Sequence, residues 1–312
     1  MSDSSMVWMN GELIEEEKAV VPLMTHCLHY GTGVFEGIRI YQTEKGRAIF
    51  RLHDHMVRFL NSAKVLDMPI PYTLDQLIDA VKLTVRETTA EADYIRPIAF
   101  YATSKKPRRI TLDPRGFNIW VAVGTSYIGA YMGAEGLENG AKVITSSWQK
   151  PTNASTSLQA KICGNYVNSA LAKIESDQLG ASESLMLNSN GTVAEGPGEN
   201  IFMVRDGKLI TPPITAGVLE GITKDSVTVL ARERKIEVIE REITRSEIFY
   251  ADEFFMTGTA AEVTPIASLD GRPIGTGKTG PITRSLQKAF FDAARGQDPK
   301  HADWLDYVDR TG

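Results

Sequence analysis

The sequence predicts an α+β protein of two domains. Three observations carry this. Turn dipeptides of hairpin type recur between short apolar strands; amphipathic helical stretches lie among them without strict strand–helix–strand alternation; and the chain has 312 residues, long for a single compact core.

The elements follow in chain order. Asn10-Gly11, Asn190-Gly191, Asp206-Gly207 and Asp270-Gly271 can each take the positive φ angles of a type I′ turn, and their flanks read as strands. "LHDHMVRFLNSAKVL" places Met56, Phe59, Leu60 and Ala63 on one helical face. "TLDQLIDAVKLTVRET" opens on Thr73, a capping residue, and carries Leu74, Leu77, Ile78 and Val81. "YIRPIAFYA" and "FNIWVAVGT" read as strands; "TKDSVTVLARER" and "ITRSLQKAFFDAA" read as helices. In "YVNSALAKI", Val167, Ala170, Leu171 and Ile174 fall at helical spacing and predict a buried helix. The stretch "SYIGAYMGAEGLENG" is rich in glycine and small residues and marks a boundary. The expected organisation is a small N-terminal domain over 1–126, an interdomain loop over 127–140 and a larger C-terminal domain over 141–312.

Composition narrows the function. Apolar residues make up 42% of the chain, net charge is -5, and no basic block dominates, so nucleic acid and anionic membrane are not the expected partners. No apolar run approaches the ~18 residues of a membrane span, and the acidic N-terminus does not read as a signal peptide. Cys27 and Cys163 have no metal-type spacing, so no metal is expected and a reducing cytoplasm is the expected compartment.

Lys161 stands at an odd place, between the polar "PTNASTSL" and the helix that follows Gly164-Asn165. A lysine there can bind phosphate, pair with a carboxylate, or attack a carbonyl as a free amine. The last use includes the Schiff base with pyridoxal phosphate, which also needs a partner for its pyridine nitrogen and an anion site for its phosphate. Glu195, followed by Gly196, Pro197 and Gly198, is a candidate for the first. For the second, Gly221-Ile222-Thr223 opens a helix and offers free backbone N–H groups. The turn at Thr257, Gly258, Thr259 and Ala260 is another candidate, and Arg58 could supply a fixed cation.

In combination, "HYGTGVFEGIR", "AKICGNY", "EGPGENIF", "LEGITKD" and "MTGTAAEVTPI" resemble the branched-chain amino acid aminotransferases, and the resemblance runs from about "WMNGELI" to "WLDYV". It implies a two-domain fold-type IV enzyme, similar to D-amino acid aminotransferase in fold, with pyridoxal 5′-phosphate as cofactor. It implies amino transfer between branched-chain L-amino acids (Leu, Ile, Val) and 2-oxoglutarate, and a homodimer or higher homo-oligomer. Carried over residue by residue, Lys161 matches the catalytic Schiff-base lysine and Tyr166 the tyrosine at the cofactor's phenolic oxygen. Glu195 matches the pyridine-nitrogen carboxylate, and Leu219 the residue lying against the ring. Arg58, Gly221, Ile222, Thr223 and Thr259 match the phosphate cradle. Tyr30, Phe35, Gly37, Tyr94, Arg96, Tyr131, Thr259 and Ala260 match the substrate pocket. Two departures fall on the substrate side. The loop over 103–117 carries Lys105, Lys106, Arg108 and Arg109, and Ile128 stands where relatives often carry Trp. A transaminase of shifted range, toward D-amino acids or (R)-amines, therefore stays open, as does, further off, aminodeoxychorismate lyase.

Overall fold

The computed structural model describes residues 4–105 and 111–308. They divide into two units. One comprises residues up to Ile128, Ala160–Asn165 and the segment from Ala294 on; the other comprises Gly129–Gln159 and Tyr166–Ala293.

The first unit is built on an antiparallel sheet. Its strands are β1 (Met6–Met9), β2 (Glu12–Glu15), β3 (Gly33–Phe35), β4 (Ile38–Thr43), β5 (Gly46–Phe50), β6 (Tyr94–Ser104), β7 (Phe117–Ser126) and the C-terminal strand Leu305–Tyr307. The C-terminal strand pairs with β5, then the order runs β4, β6, β7, β1, β2, with β3 beside β6. Asn10 and Gly11 take φ of 52° and 100° and close the expected hairpin between Met9 and Glu12. Three helices join the sheet: α1 (His26–Tyr30), α2 (Leu52–Val65) and α3 (Leu74–Glu87). Thr73 caps α3 as expected. Its hydroxyl accepts from the Gln76 N–H, and the Gln76 side chain accepts from the Thr73 N–H, a capping box that contributes on the order of 1 kcal/mol. The predicted apolar faces of α2 and α3 bury Met56, Phe59, Leu77 and Val81 with Ile38, Ile49, Ile95 and Val121 of the sheet.

The second unit holds a mixed sheet: β8 (Ala141–Thr145), β9 (Glu183–Leu185), β10 (Asn200–Arg205), β11 (Lys208–Thr211), β12 (Val238–Glu240), β13 (Glu253–Gly258), β14 (Glu262–Leu269) and β15 (Arg272–Pro273). The order is β12, β11, β10, β13, β14, β8, β9, with β15 on β14. The pairs β8–β9, β8–β14 and β11–β12 are parallel. Helices α4 (Gly133–Asn139), α5 (Tyr166–Gln178), α6 (Ile222–Glu233), α7 (Arg245–Ile248) and α8 (Pro281–Ala294) complete it. Val143, Leu185, Ile201, Met203, Phe254, Met256 and Ile266 form its core.

Three expectations are corrected. Asp206-Gly207 and Asp270-Gly271 take the predicted positive φ angles, but at Asn190-Gly191 only Gly191 does. The Asn190 carboxamide oxygen instead accepts from the Thr192 N–H at 3.1 Å, closing an Asx turn. The stretch 127–140 is not loop throughout, because Gly133–Asn139 is helical. Helix α5 does form, but it buries Ser169, Ala172 and Ser176, leaving Val167 and Ile174 64% and 52% exposed. Small side chains let the helix sit close to its neighbours, and the apolar stripe faces outward. Among the described residues no helix is long and apolar enough to cross a membrane, and no group of His, Cys, Asp or Glu could hold a metal ion.

Candidate active site

In the first unit the backbone of Lys161 is fixed from two sides. Its N–H donates to Ser62 Oγ of α2 at 3.0 Å, and its carbonyl accepts from the Phe35 N–H at 3.1 Å. Ile162 bridges Val34 beside it. The Lys161 ammonium then stands 4.7 Å from the centre of the Phe35 ring. Arg96 of β6 approaches the same ring at 4.9 Å and the Tyr94 ring at 5.3 Å, so Tyr94 and Arg96 work on one strand face as the two-residue spacing predicts. The Tyr94 hydroxyl passes directly over Gly37, where a Cβ would lie 1.8 Å from it. Gly37→Ala must therefore displace the Tyr94 ring, and thermal unfolding should show a loss of about 1–3 kcal/mol, the scale of overpacking; an unchanged melting temperature would remove the case for this contact. Lys161, Phe35, Gly37, Tyr94 and Arg96 are thus brought together, while Tyr30 is placed on α1 with its ring against His26.

Arg58 is fixed, but by a partner that sequence reasoning missed. Its Nε and Nη2 donate to the two carboxylate oxygens of Glu36 at 2.6 and 2.8 Å, and His55 Nδ1 lies 2.7 Å from Glu36 Oε2. Glu36 and His55 are both buried. Burial opposes the charge on Glu36, but Arg58 and His55 outweigh it and hold the carboxyl well below its ordinary range. Burial also holds His55 low. The signal available was an ionisable residue, Glu36, inside the apolar "VFEGI". Burial raises the Tyr94 phenol, against the pull of Arg96.

In the second unit Glu195 is buried and aimed. Its Oε2 accepts from Asn200 Nδ2 at 3.0 Å and from the Leu219 N–H at 3.1 Å, and its Oε1 accepts from Lys150 Nζ at 2.7 Å. Asn200 and Lys150 carry no signal of this role in the sequence. Asn200 also donates to the Leu219 carbonyl, tying Glu195 to the segment that leads into α6. A Cβ on Gly221, the residue before α6, would lie 1.8 Å from Asn200 Oδ1, so glycine is needed there for close approach. Ile222 and Thr223 follow as the first residues of α6, whose first-turn N–H groups have no partner inside the helix. Thr259 and Ala260 form the turn between β13 and β14. Tyr166 is the first residue of α5. Tyr131 lies toward two buried carboxyls: burial, then Glu199 and Glu183, push its phenol up. Of the basic loop, Lys105 is bonded through its N–H to the Gly116 carbonyl; Lys106, Arg108 and Arg109 lie outside the described residues. Ile128 donates its N–H to Asp93, which pairs with Arg39.

A lysine amine on an aromatic wall, a buried carboxylate with fixed oxygens, and a glycine-led helix start are the parts that pyridoxal chemistry uses. The pattern of the family described as amino-transferase class IV matches residues 33–269. The chain belongs to the class IV aminotransferases. Among curated members of this family, the branched-chain-amino-acid aminotransferase of Pseudomonas aeruginosa is 46% identical to this aminotransferase over 303 residues, covering 97% of each chain. Among solved structures, the branched-chain amino acid aminotransferase of Escherichia coli superposes with a TM-score of 0.93 at 40% identity, over 98% of this chain and 100% of that one. The branched-chain amino acid aminotransferase of Thermobaculum terrenum, solved in its PLP form, gives 0.88 at 36% identity, over 99% of this chain and 100% of that one.

Proposed function

We propose that the protein transfers amino groups between branched-chain L-amino acids and 2-oxoglutarate, with pyridoxal 5′-phosphate as its cofactor. The observation that carries this is the Phe35 ring, which Lys161 and Arg96 both approach. It sets a nucleophilic amine and a cation against one apolar wall.

The residues present fit the cofactor. Lys161 offers the amine for its aldehyde, Glu195 a buried carboxylate with an oriented Oε2 for its pyridine nitrogen, and the α6 start an anion site for its phosphate, with Arg58 as a cation held in place by Glu36. Bound there, pyridoxal phosphate supplies the aldehyde that takes up the amino group and a ring that accepts electron density. Lys161 Nζ would then serve as the base that moves the proton from the substrate Cα. Tyr166, Leu219, Thr223 and Thr259 are assigned to holding the cofactor, and Tyr30, Tyr131 and Ala260 to the substrate. Glu195 would favour the protonated pyridine nitrogen by its charge. Glu195→Gln should retain cofactor yet slow single-turnover proton transfer roughly 10- to 100-fold, the equivalent of the ~1.5–3 kcal/mol of a charged hydrogen bond; equal single-turnover rates would count against the role.

One site must accept an aliphatic side chain and the carboxylate of glutamate. Arg96 resolves the conflict physically. Its guanidinium is exposed and lies against the Phe35 and Tyr94 rings, so an aliphatic substrate does not strand a buried, unpaired charge. With glutamate the same cation meets the side-chain carboxylate. Arg96→Ala should impair half-reactions of glutamate and 2-oxoglutarate by about 2 kcal/mol, some thirtyfold, and leucine's much less. Half-reactions with L-leucine, L-glutamate, D-alanine and (R)-1-phenylethylamine, followed at the cofactor's visible band, test the reading. Turnover of D-alanine or the (R)-amine in preference to L-leucine would overturn it. The exposed Leu23, Met24 and Leu28 of the first unit and Val167 and Ile174 of the second support a homodimer, which sedimentation measures. The unpaired state of both cysteines supports a cytoplasmic location.

A further inference from the structure

Cys27 and Cys163 are the only two cysteines of the chain, and they stand far apart in sequence. The fold brings their sulfurs together over Gly33. A Cβ on Gly33 would lie 2.8 Å from Cys27 Sγ and 3.1 Å from Cys163 Sγ, which bounds the distance between the sulfurs by the sum of the two. The backbones that carry them are clamped. The Gly31 N–H donates to the Cys27 carbonyl at 2.8 Å, and the Gly164 N–H donates to the Gly31 carbonyl at 3.1 Å. A Cβ on Gly31 would lie 2.6 Å from Gly164 Cα, so these glycines permit backbone-on-backbone contact beside the thiols. Both thiols are half-buried and free. Neither has a part in amino transfer as derived above, yet Cys163 stands two residues after Lys161.

We propose that Cys27 and Cys163 form a reversible intramolecular disulfide, a redox-sensitive clamp on the segment that carries Lys161. The thiols are unequal. A hydrogen bond from Cys27 lowers Cys163, with Arg96 and Lys161 adding positive charge, while the same bond and burial raise Cys27. Cys163 is therefore the attacking sulfur. With hydrogen peroxide as oxidant, the Cys163 thiolate attacks one oxygen, the O–O bond breaks, and hydroxide leaves to give a sulfenic acid. The Cys27 sulfur, losing its proton, attacks the Cys163 sulfur; the S–O bond breaks and the second oxygen leaves as water. Two thiols give up two electrons and two protons, and peroxide becomes two waters. Thiols reverse the step by exchange, as expected of a sensing pair in a reducing compartment.

The test uses the purified holoenzyme treated with hydrogen peroxide, with thiol titration, non-reducing peptide mapping and amide hydrogen exchange. The expected result is a fall from two free thiols to none, a Cys27–Cys163 crosslinked peptide within one chain, and return of both thiols on adding dithiothreitol. Peptides spanning 160–165 should exchange more slowly when oxidised. In Cys27→Ser, Cys163 should go on to sulfinic acid, and basal amino transfer should be unchanged. Persistence of both thiols, sulfinic acid in the wild type, or links only between chains would overturn the pair. A disulfide that leaves exchange over 160–165 unaltered would overturn the clamp. The consequence for rate rests on the proposed function: peroxide should slow leucine transamination in the wild type and not in Cys27→Ser. If the reduced enzyme does not transaminate leucine at all, that reading fails while the thiol measurements still decide the disulfide.

Discussion

Lys161→Ala is expected to lose amino transfer with leucine by several orders of magnitude. Loss of a positioned general base alone removes roughly 10²–10⁴ in rate, and this residue is also assigned the covalent bond to the cofactor. The fold should survive, because Lys161 is held through its own N–H and carbonyl, by Ser62 and Phe35, and neither bond uses the side chain. Lys161→Arg separates chemistry from charge. It keeps a cation near Phe35 but offers no free amine at neutral pH, so it should be about as inactive as the alanine variant. Single-turnover absorbance with leucine, read beside circular dichroism, makes the comparison. Near wild-type turnover in either variant would sink the assignment.

Glu36→Gln should cost about 3–5 kcal/mol of stability at neutral pH, the scale for removing one partner of a buried ion pair. The side chain keeps its shape but leaves Arg58 without this counter-charge and His55 without its carboxylate. The sign with pH follows from the depressed carboxyl. Its contribution is present in full above the ordinary glutamate value of about 4.3 and is lost as pH falls from there toward the lower folded value. Denaturant midpoints of wild type and variant should therefore differ most at pH 7 and converge in acid. A constant gap at all pH values would show that packing, rather than charge, carries the effect.

Local signals were legible. The Thr73 cap, three of the four glycine turns and the buried faces of α2 and α3 follow from propensity and period, since each is decided within a few residues. The motif residues Lys161, Phe35, Tyr94 and Arg96 also meet in one place. What escaped was decided by tertiary partners. Nothing in the neighbourhood of Glu36 along the chain announces Arg58 and His55, which arrive from α2. Lys150 and Asn200 reach Glu195 from separate segments for the same reason. Helix α5 turns the other way because hydrophobic period reports which face is apolar, not which face is buried; Ser169, Ala172 and Ser176 win by allowing close approach. The parallel pairing of β8 with β9 and β14 joins segments too distant for any turn signal.

The first unit is closed by residues made after its strands β1 to β7. Leu305–Tyr307 pairs with β5, and Ala160–Asn165 docks against β3, so neither partner exists when β7 leaves the ribosome. At about 5–20 residues per second of synthesis, the C-terminal strand trails β7 by on the order of 10–35 s. For that interval β5 is an open edge able to pair with another nascent chain. Truncations before Leu305, or bulky C-terminal fusions, should therefore reduce yield of soluble enzyme, and slower translation should lengthen the exposure. Completion of this sheet therefore waits for a strand made long after β7.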